Sequence, residues 1–184
     1  MKRSFLLFAA SFIVLSSFAQ LEHLQFMGIP IDGSISSFTK QLKKKGFIKD
    51  RLYSPIEDSL SGYRIFIGTF AGENKANVVV FYDIKTKKVN NVKVQINCYS
   101  ETGLKNKYES FLSNLRLKYS TQIVEEKILE EESGKGFVIS NADGHLLGLI
   151  SLYKGLKNEN YSLSLEYTDF QNVLSSSKKD IEDL

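Results

Sequence analysis

From Asn91 to Cys98 every second residue is apolar: Val92, Val94, Ile96 and Cys98 alternate with Asn91, Lys93, Gln95 and Asn97. A period of two puts all four apolar side chains on one face of a strand and all four polar ones on the other. Val89 to Tyr99 is therefore expected as a strand with one buried face and one wet face. The same alternation recurs where Tyr161, Leu163, Leu165 and Tyr167 interleave with Ser162, Ser164 and Glu166. A half-buried strand needs partners in a sheet and something apolar laid over its buried side, and these two requirements organise the reading of the rest of the chain.

Partners are supplied on both sides of these segments. Tyr63 to Phe70 reads as a strand, and Asn77 to Tyr82 as a central strand because it is apolar on both faces. The turns at Ala71 to Lys75 and Lys85 to Lys88 make these sequential neighbours antiparallel. Further strands are expected near Gln122 to Leu129, at Phe137 to Ser140 and at His145 to Tyr153, with a hairpin turn at Asn141-Ala142-Asp143-Gly144. Glu130 to Glu132 and Gly134-Lys135-Gly136 read as a turn, Lys154 to Asn160 as a connection, and Leu21 to Ile31, with Pro30 near its end, as a first strand at a sheet edge.

Two segments carry the helical period that can cover such a sheet. Ser34 is a natural N-cap, Ile35, Phe38 and Leu42 lie on one helical face, Lys40 and Lys43 to Lys45 complement the C-terminal end, and Gly46 fits a left-handed stop. After Ser100, the residues Leu104, Tyr108, Phe111, Leu112, Leu115 and Tyr119 form one apolar face of a longer helix. The order helix, short strand or loop, three strands thus occurs twice, over residues 24–99 and 100–170. The expected fold is α+β, a single domain of two similar halves forming a pseudo-repeat, with helices packed on an antiparallel sheet. Residues 171–184 are rich in Ser, Lys, Asp and Glu and are expected as a flexible tail.

The first 19 residues have a different character. Lys2 and Arg3 precede an apolar run from Phe5 to Leu15, and Ser17-Phe18-Ala19 offers small residues at the positions a signal peptidase reads. Cleavage after Ala19, leaving Gln20 first, is the expectation. The run is short of the roughly 20 apolar residues that span a bilayer, and no Cys follows it to accept lipid. The leader takes two of the 24 basic residues and none of the 21 acidic ones, so the formal charge falls from +3 to +1. Basicity is therefore not a nucleic-acid or membrane footprint. A single cysteine, Cys98, leaves an exported chain to hold together by its core alone.

Phe26-Met27-Gly28-Ile29-Pro30-Ile31-Asp32-Gly33, then Phe38, Leu42, Lys45-Gly46-Phe47, Gly68-Thr69-Phe70-Ala71-Gly72 and Lys118-Tyr119 resemble a group of uncharacterised exported proteins of Bacteroidetes bacteria. The repeated helix-plus-strands order is also similar in outline to the β-lactamase-inhibitor-protein fold, without that family's disulfides. Fold likeness of this kind does not carry function. Asp58-Ser59-Leu60 is similar to the acceptor for O-glycosylation of exported Bacteroidetes proteins, which points to Ser59.

Catalytic chemistry finds little to build on. The chain has two histidines, His23 near the mature start and His145 in a turn, so a nucleophile, base and orienter are hard to assemble. No metal-ligand spacing and no phosphate loop occurs, and no cofactor is expected. Tyr63, Tyr82, Tyr99, Tyr153, Tyr161 and Tyr167 fall on strands or at their ends, and tyrosine gives interfaces large area with a polar tip. The expected function is a non-enzymatic binding or interaction protein, exported to the periplasm or cell exterior, whose partner is a protein or glycan of the bacterial envelope. The alternative is an envelope-glycan hydrolase or isomerase, which would require a cleft with two facing carboxylates.

Overall fold

In the computed structural model, which describes residues 23–50, 62–129, 134–157 and 160–173, eight strands form one antiparallel sheet and two helices cover one of its faces. The chain begins with β1 (Gln25–Phe26) and β2 (Ile29–Pro30), then α1 (Ile35–Lys44), β3 (Ile48–Lys49), β4 (Tyr63–Phe70), β5 (Glu73–Tyr82) and β6 (Val89–Cys98). It continues with α2 (Glu101–Lys118), β7 (Ile123–Ile128), β8 (Gly134–Ser140), β9 (Leu146–Lys157) and β10 (Asn160–Asp169). The sheet order is β3-β4-β5-β6-β10-β9-β8-β7, so β6 and β10 meet at its centre. Outward from that pair each side is a meander of three strands closed by an edge strand.

Register converts the alternation into a continuous core. Phe66 stands opposite Val78, Val78 opposite Val94, Val94 opposite Leu165, and Leu165 opposite Leu152. One residue pair along, Val80, Val92, Tyr167, Ile150 and Phe137 form the next row. Every residue in both rows is buried. The opposite face carries the polar partners, such as Lys93 opposite Glu166 and Gln95 opposite Ser164. β5 lies inside the sheet beside the central pair, and it carries apolar residues, Val79 and Phe81, half-buried on the uncovered face opposite Val78 and Val80.

α1 is defined at both ends by its own sequence. Ser34 Oγ accepts from Ser37 N–H at 3.3 Å. At the other end Phe47 N–H donates to the Leu42 carbonyl at 3.1 Å and Gly46 N–H to that of Lys43 at 3.0 Å, with Gly46 at φ +88°. This is the Schellman arrangement, completed by the burial of Leu42 and Phe47. The Phe47 ring lies against Gly68, where an added Cβ would come within 2.4 Å of it. α2 rests on β10, β9 and β6 through Leu104, Tyr108, Phe111, Leu112 and Leu115.

The start of the chain departs from the expected edge strand. Residues 24–31 fold into a separate hairpin, turned by Met27 (φ +51°) and Gly28 (φ +75°). Two successive positive φ values match the twist of a tight hairpin, and the Met-Gly pair is its signal. The hairpin places Phe26 on the core: its ring is 5.4 Å from that of Phe70 and 5.5 Å from that of Tyr167. Phe26 is fully buried.

A polar knot fixes the hairpin, and it corrects the expected tail. Asp169, with no exposed surface, accepts from Leu24 N–H (2.9 Å) and Asn172 N–H (3.0 Å) and faces His23 Nδ1 at 3.1 Å. Asn172 Nδ2 donates to the carbonyls of Ile31 (2.6 Å) and Val89 (2.9 Å). Asn172 is thus a buried structural residue in the helical turn 170–173, not the start of a frayed segment; residues 174–184 lie outside the described residues. Gly134-Lys135-Gly136 is also strand, not turn. A Cβ on Gly134 would approach the Leu152 carbonyl oxygen to 2.4 Å, so glycine is what permits that pairing. Likewise β9 and β10 extend through most of the expected 154–160 connection, with Asn160 paired to Lys157.

Candidate binding cleft

Where β6 ends, its phase delivers Cys98 to the core and releases Tyr99 into solvent, where it is completely exposed. Ser100, in an extended conformation, then caps α2 by accepting from Gly103 N–H at 3.1 Å. Opposite stands the two-residue turn between β4 and β5, in which Ala71 (φ +49°) and Gly72 (φ +83°) bring Phe70 back to pair with Glu73. Between the turn, the β6 end and the first turns of α2 lies a cleft of about 550 Å³. That size is within the range of small-ligand sites.

The helix wall is a stripe of small and neutral polar residues at helical spacing: Gly103, Asn106, Ser110 and Asn114. Ser100 adds a hydroxyl just past the strand end, and Phe111 and Cys98 form the apolar part of the lining. Phe111 is held by its contact with Phe70, ring centres 6.1 Å apart. Lys107 Nζ donates to Glu73 Oε1, an ion pair joining α2 to the β4–β5 turn. The two charged groups of the lining therefore neutralise each other.

This chemistry binds more readily than it reacts. Burial, with Glu73 nearby, pushes the Cys98 thiol above its usual value against the opposing Lys107 ammonium and the Leu163 backbone, so it is held as the thiol and not the nucleophilic thiolate. Neither histidine can serve it as base: His23 lies in the Asp169 knot, and His145 follows the β8–β9 turn, its N–H bonded to Asn141 Oδ1 at 2.9 Å. Glu73 is the sole carboxylate among the described lining residues, so no facing pair is formed there. The described carboxylates with a clear shift are both lowered: Asp83 by the Thr86 N–H and Glu126 by the Arg116 guanidinium. Neither is tuned as a general acid. Among the described residues no group of three or more His, Cys, Asp or Glu could hold a metal, and no helix is long and apolar enough to cross a membrane.

The six tyrosines do not form one surface. Tyr82 and Tyr167 are buried in the core, because each shares phase with its strand's inward residues, and Tyr161 is half-buried against the same core. Tyr63 and Tyr153 are half-buried on the uncovered face, but β4 and β9 are four strand spacings apart, about 19 Å at ~4.8 Å per spacing. Tyr63 instead pairs with Phe81 on β5, ring centres 6.1 Å apart. Tyr99 alone of the six lines the cleft. Ala19, Gln20 and Ser59 lie outside the described residues. Asn106, Ser110 and Asn114 were not singled out by the sequence. Their signal was the helical spacing of neutral polar residues along one flank of a helix otherwise edged with Lys, Glu and Arg.

Fold and cleft together define an α+β protein with an eight-stranded antiparallel sheet, helices on one face and a neutral polar cleft at one end. Compared with known protein families, characterised proteins and solved structures, the chain matches none.

Proposed function

We propose that this chain is an exported, non-enzymatic binding protein of the bacterial envelope, and that its binding site is the cleft between α2 and the β4–β5 turn. The observation that carries the reading is the lining: two helix asparagines, two serines and a fully exposed tyrosine around a neutralised ion pair. Such groups donate and accept hydrogen bonds without supplying acid, base or nucleophile. Export rests on the N-terminal leader character, and the mirrored order of strands around the β6–β10 pair supports origin of the two halves by duplication.

The test is retention of envelope material by the immobilised mature chain, compared with the double variant Tyr99→Ala, Asn106→Ala. Both residues are exposed, so the fold should survive the change, with a melting temperature near that of the parent. Protein or saccharide held by the parent and lost by the variant is the expected outcome. Equal retention by both would remove the cleft from the function.

A further inference from the structure

We infer that the ligand of this cleft is a neutral oligosaccharide, with Tyr99 as the platform on which a sugar ring stacks; the inference rests on the binding reading above. Three properties select that class. The first is charge. Lys107 and Glu73 are paired with each other, so the lining presents no excess charge to an anionic or cationic ligand. A phosphate, an acidic peptide or an anionic glycan would meet no uncompensated charged side chain.

The second property is the kind of hydrogen bonding offered. Asn106 and Asn114 each present an amide oxygen and an NH2 group, and Ser100 and Ser110 present hydroxyls. These groups suit a ligand whose own groups both donate and accept at many positions, as sugar hydroxyls do. Ser100 Oγ already accepts from Gly103 N–H and retains its proton to donate.

The third is the aromatic. A tyrosine ring left wholly in water at the mouth of a polar cleft gains most from a ligand with one flat apolar surface and a polar rim. The C–H face of a pyranose ring is such a surface. Phe111 supplies a second apolar patch inside the cleft. With a volume of about 550 Å³, the space is of small-ligand size, which fits a short saccharide segment and not a folded partner.

Titration calorimetry of the mature chain against a panel of neutral tri- to pentasaccharides, covering glucan, mannan, galactan and N-acetylglucosamine backbones, tests the inference. At least one should bind with a dissociation constant below about 1 mM. Tyr99→Ala should then weaken binding by about ten-fold or more, while Tyr99→Phe, which keeps the ring, stays within about three-fold. Asn106→Ala and Asn114→Ala should each cost about five-fold, the worth of one neutral hydrogen bond. Unchanged melting temperatures in all four variants separate binding from folding. No binding by any panel member overturns the saccharide assignment, as does a Tyr99→Phe variant as weak as Tyr99→Ala. If envelope protein is still retained in a Tyr99-dependent way while no saccharide binds, the ligand class fails and the binding cleft stands. If nothing is retained at all, both fail.

Discussion

Replacing Asp169 by Asn exchanges one oxygen of a buried side chain for an NH2 group at nearly unchanged volume, so its cost isolates the polar knot that fixes the N-terminal hairpin. In the native chain Oδ2 accepts from Leu24 N–H at 2.9 Å, Oδ1 from Asn172 N–H at 3.0 Å, and His23 Nδ1 stands 3.1 and 3.2 Å from the two oxygens. An amide keeps one acceptor and turns an NH2 group toward the other N–H. One hydrogen bond is lost and a buried donor is left unsatisfied, at about 1–3 kcal/mol; the bond that remains loses the strength a carboxylate gives it, about 1 kcal/mol more. The sum is about 3 kcal/mol, a large part of the roughly 5–15 kcal/mol that holds a domain together. At about 2–4 °C per kcal/mol for a chain of this size, the melting temperature should fall by about 6–12 °C. Thermal unfolding followed by circular dichroism gives the shift, and amide hydrogen exchange should show Leu24 and Ile31 losing protection before the β6–β10 pair does. Asn172→Ala removes the clamp on the Ile31 and Val89 carbonyls, and because Asp169 and Asn172 are bonded to each other the double variant should cost less than the two singles together. A fall of less than about 1 kcal/mol for Asp169→Asn, with Leu24 still protected, would refute the claim that this carboxylate fixes the hairpin.

Phe26→Ala should destabilise the fold by about 3–5 kcal/mol, read from denaturant unfolding, because the ring is fully buried between Phe70 and Tyr167 and its removal leaves a cavity. Asp83 accepts from Thr86 N–H in the β5–β6 turn, and that bond, with Lys85 nearby, holds its carboxyl below the ordinary 3.8. A depressed value in the folded state contributes stability above the unfolded-state value and loses it as pH falls through the folded one. Asp83→Ala should therefore cost about 1 kcal/mol at pH 7, and the gap between parent and variant in urea unfolding should close as pH is lowered below about 4.

What the sequence disclosed, and what it did not, follows from the range of the signal. The alternation at Val92 to Cys98 and the capped face of Ser34 to Gly46 are local patterns, and both elements lie where those patterns put them. The role of Asn172 has no local signal, since its partners are the carbonyls of Ile31 and Val89, 141 and 83 residues away. The tyrosines stand between these cases. Tyr82 follows Val78 and Val80 in phase, and Tyr167 follows Leu163 and Leu165, so parity alone already assigned both to the core; reading them by residue type as interface groups set that parity aside. Tyr99 differs because the strand ends beside it, and an exposed ring at a strand end becomes meaningful only when α2 and the β4–β5 turn are brought alongside.

The two places where a meander runs into a helical segment make an instructive contrast. At the end of β10 the chain closes the site with its own residues: Leu24, almost fully buried, lies over Gly148, where a Cβ would come within 3.2 Å of its Cδ2, and the Leu24 N–H is bonded to Asp169. An apolar side chain fills that position and each oxygen of the buried carboxylate accepts a backbone N–H. At the end of β6 the corresponding position is an open cleft, and its groups are neutral and water-facing instead of apolar: Tyr99, Asn106 and Ser110. On the binding reading proposed above, stability and recognition are drawn from opposite ends of the sheet and share no residue. An apolar occupant suited to the first place would leave the amides and hydroxyls of the second without partners, at the cost of burying them unsatisfied. On that reading the occupant of the open cleft brings hydrogen-bonding groups of its own, and the exposed ring beside them favours one that also brings an apolar face.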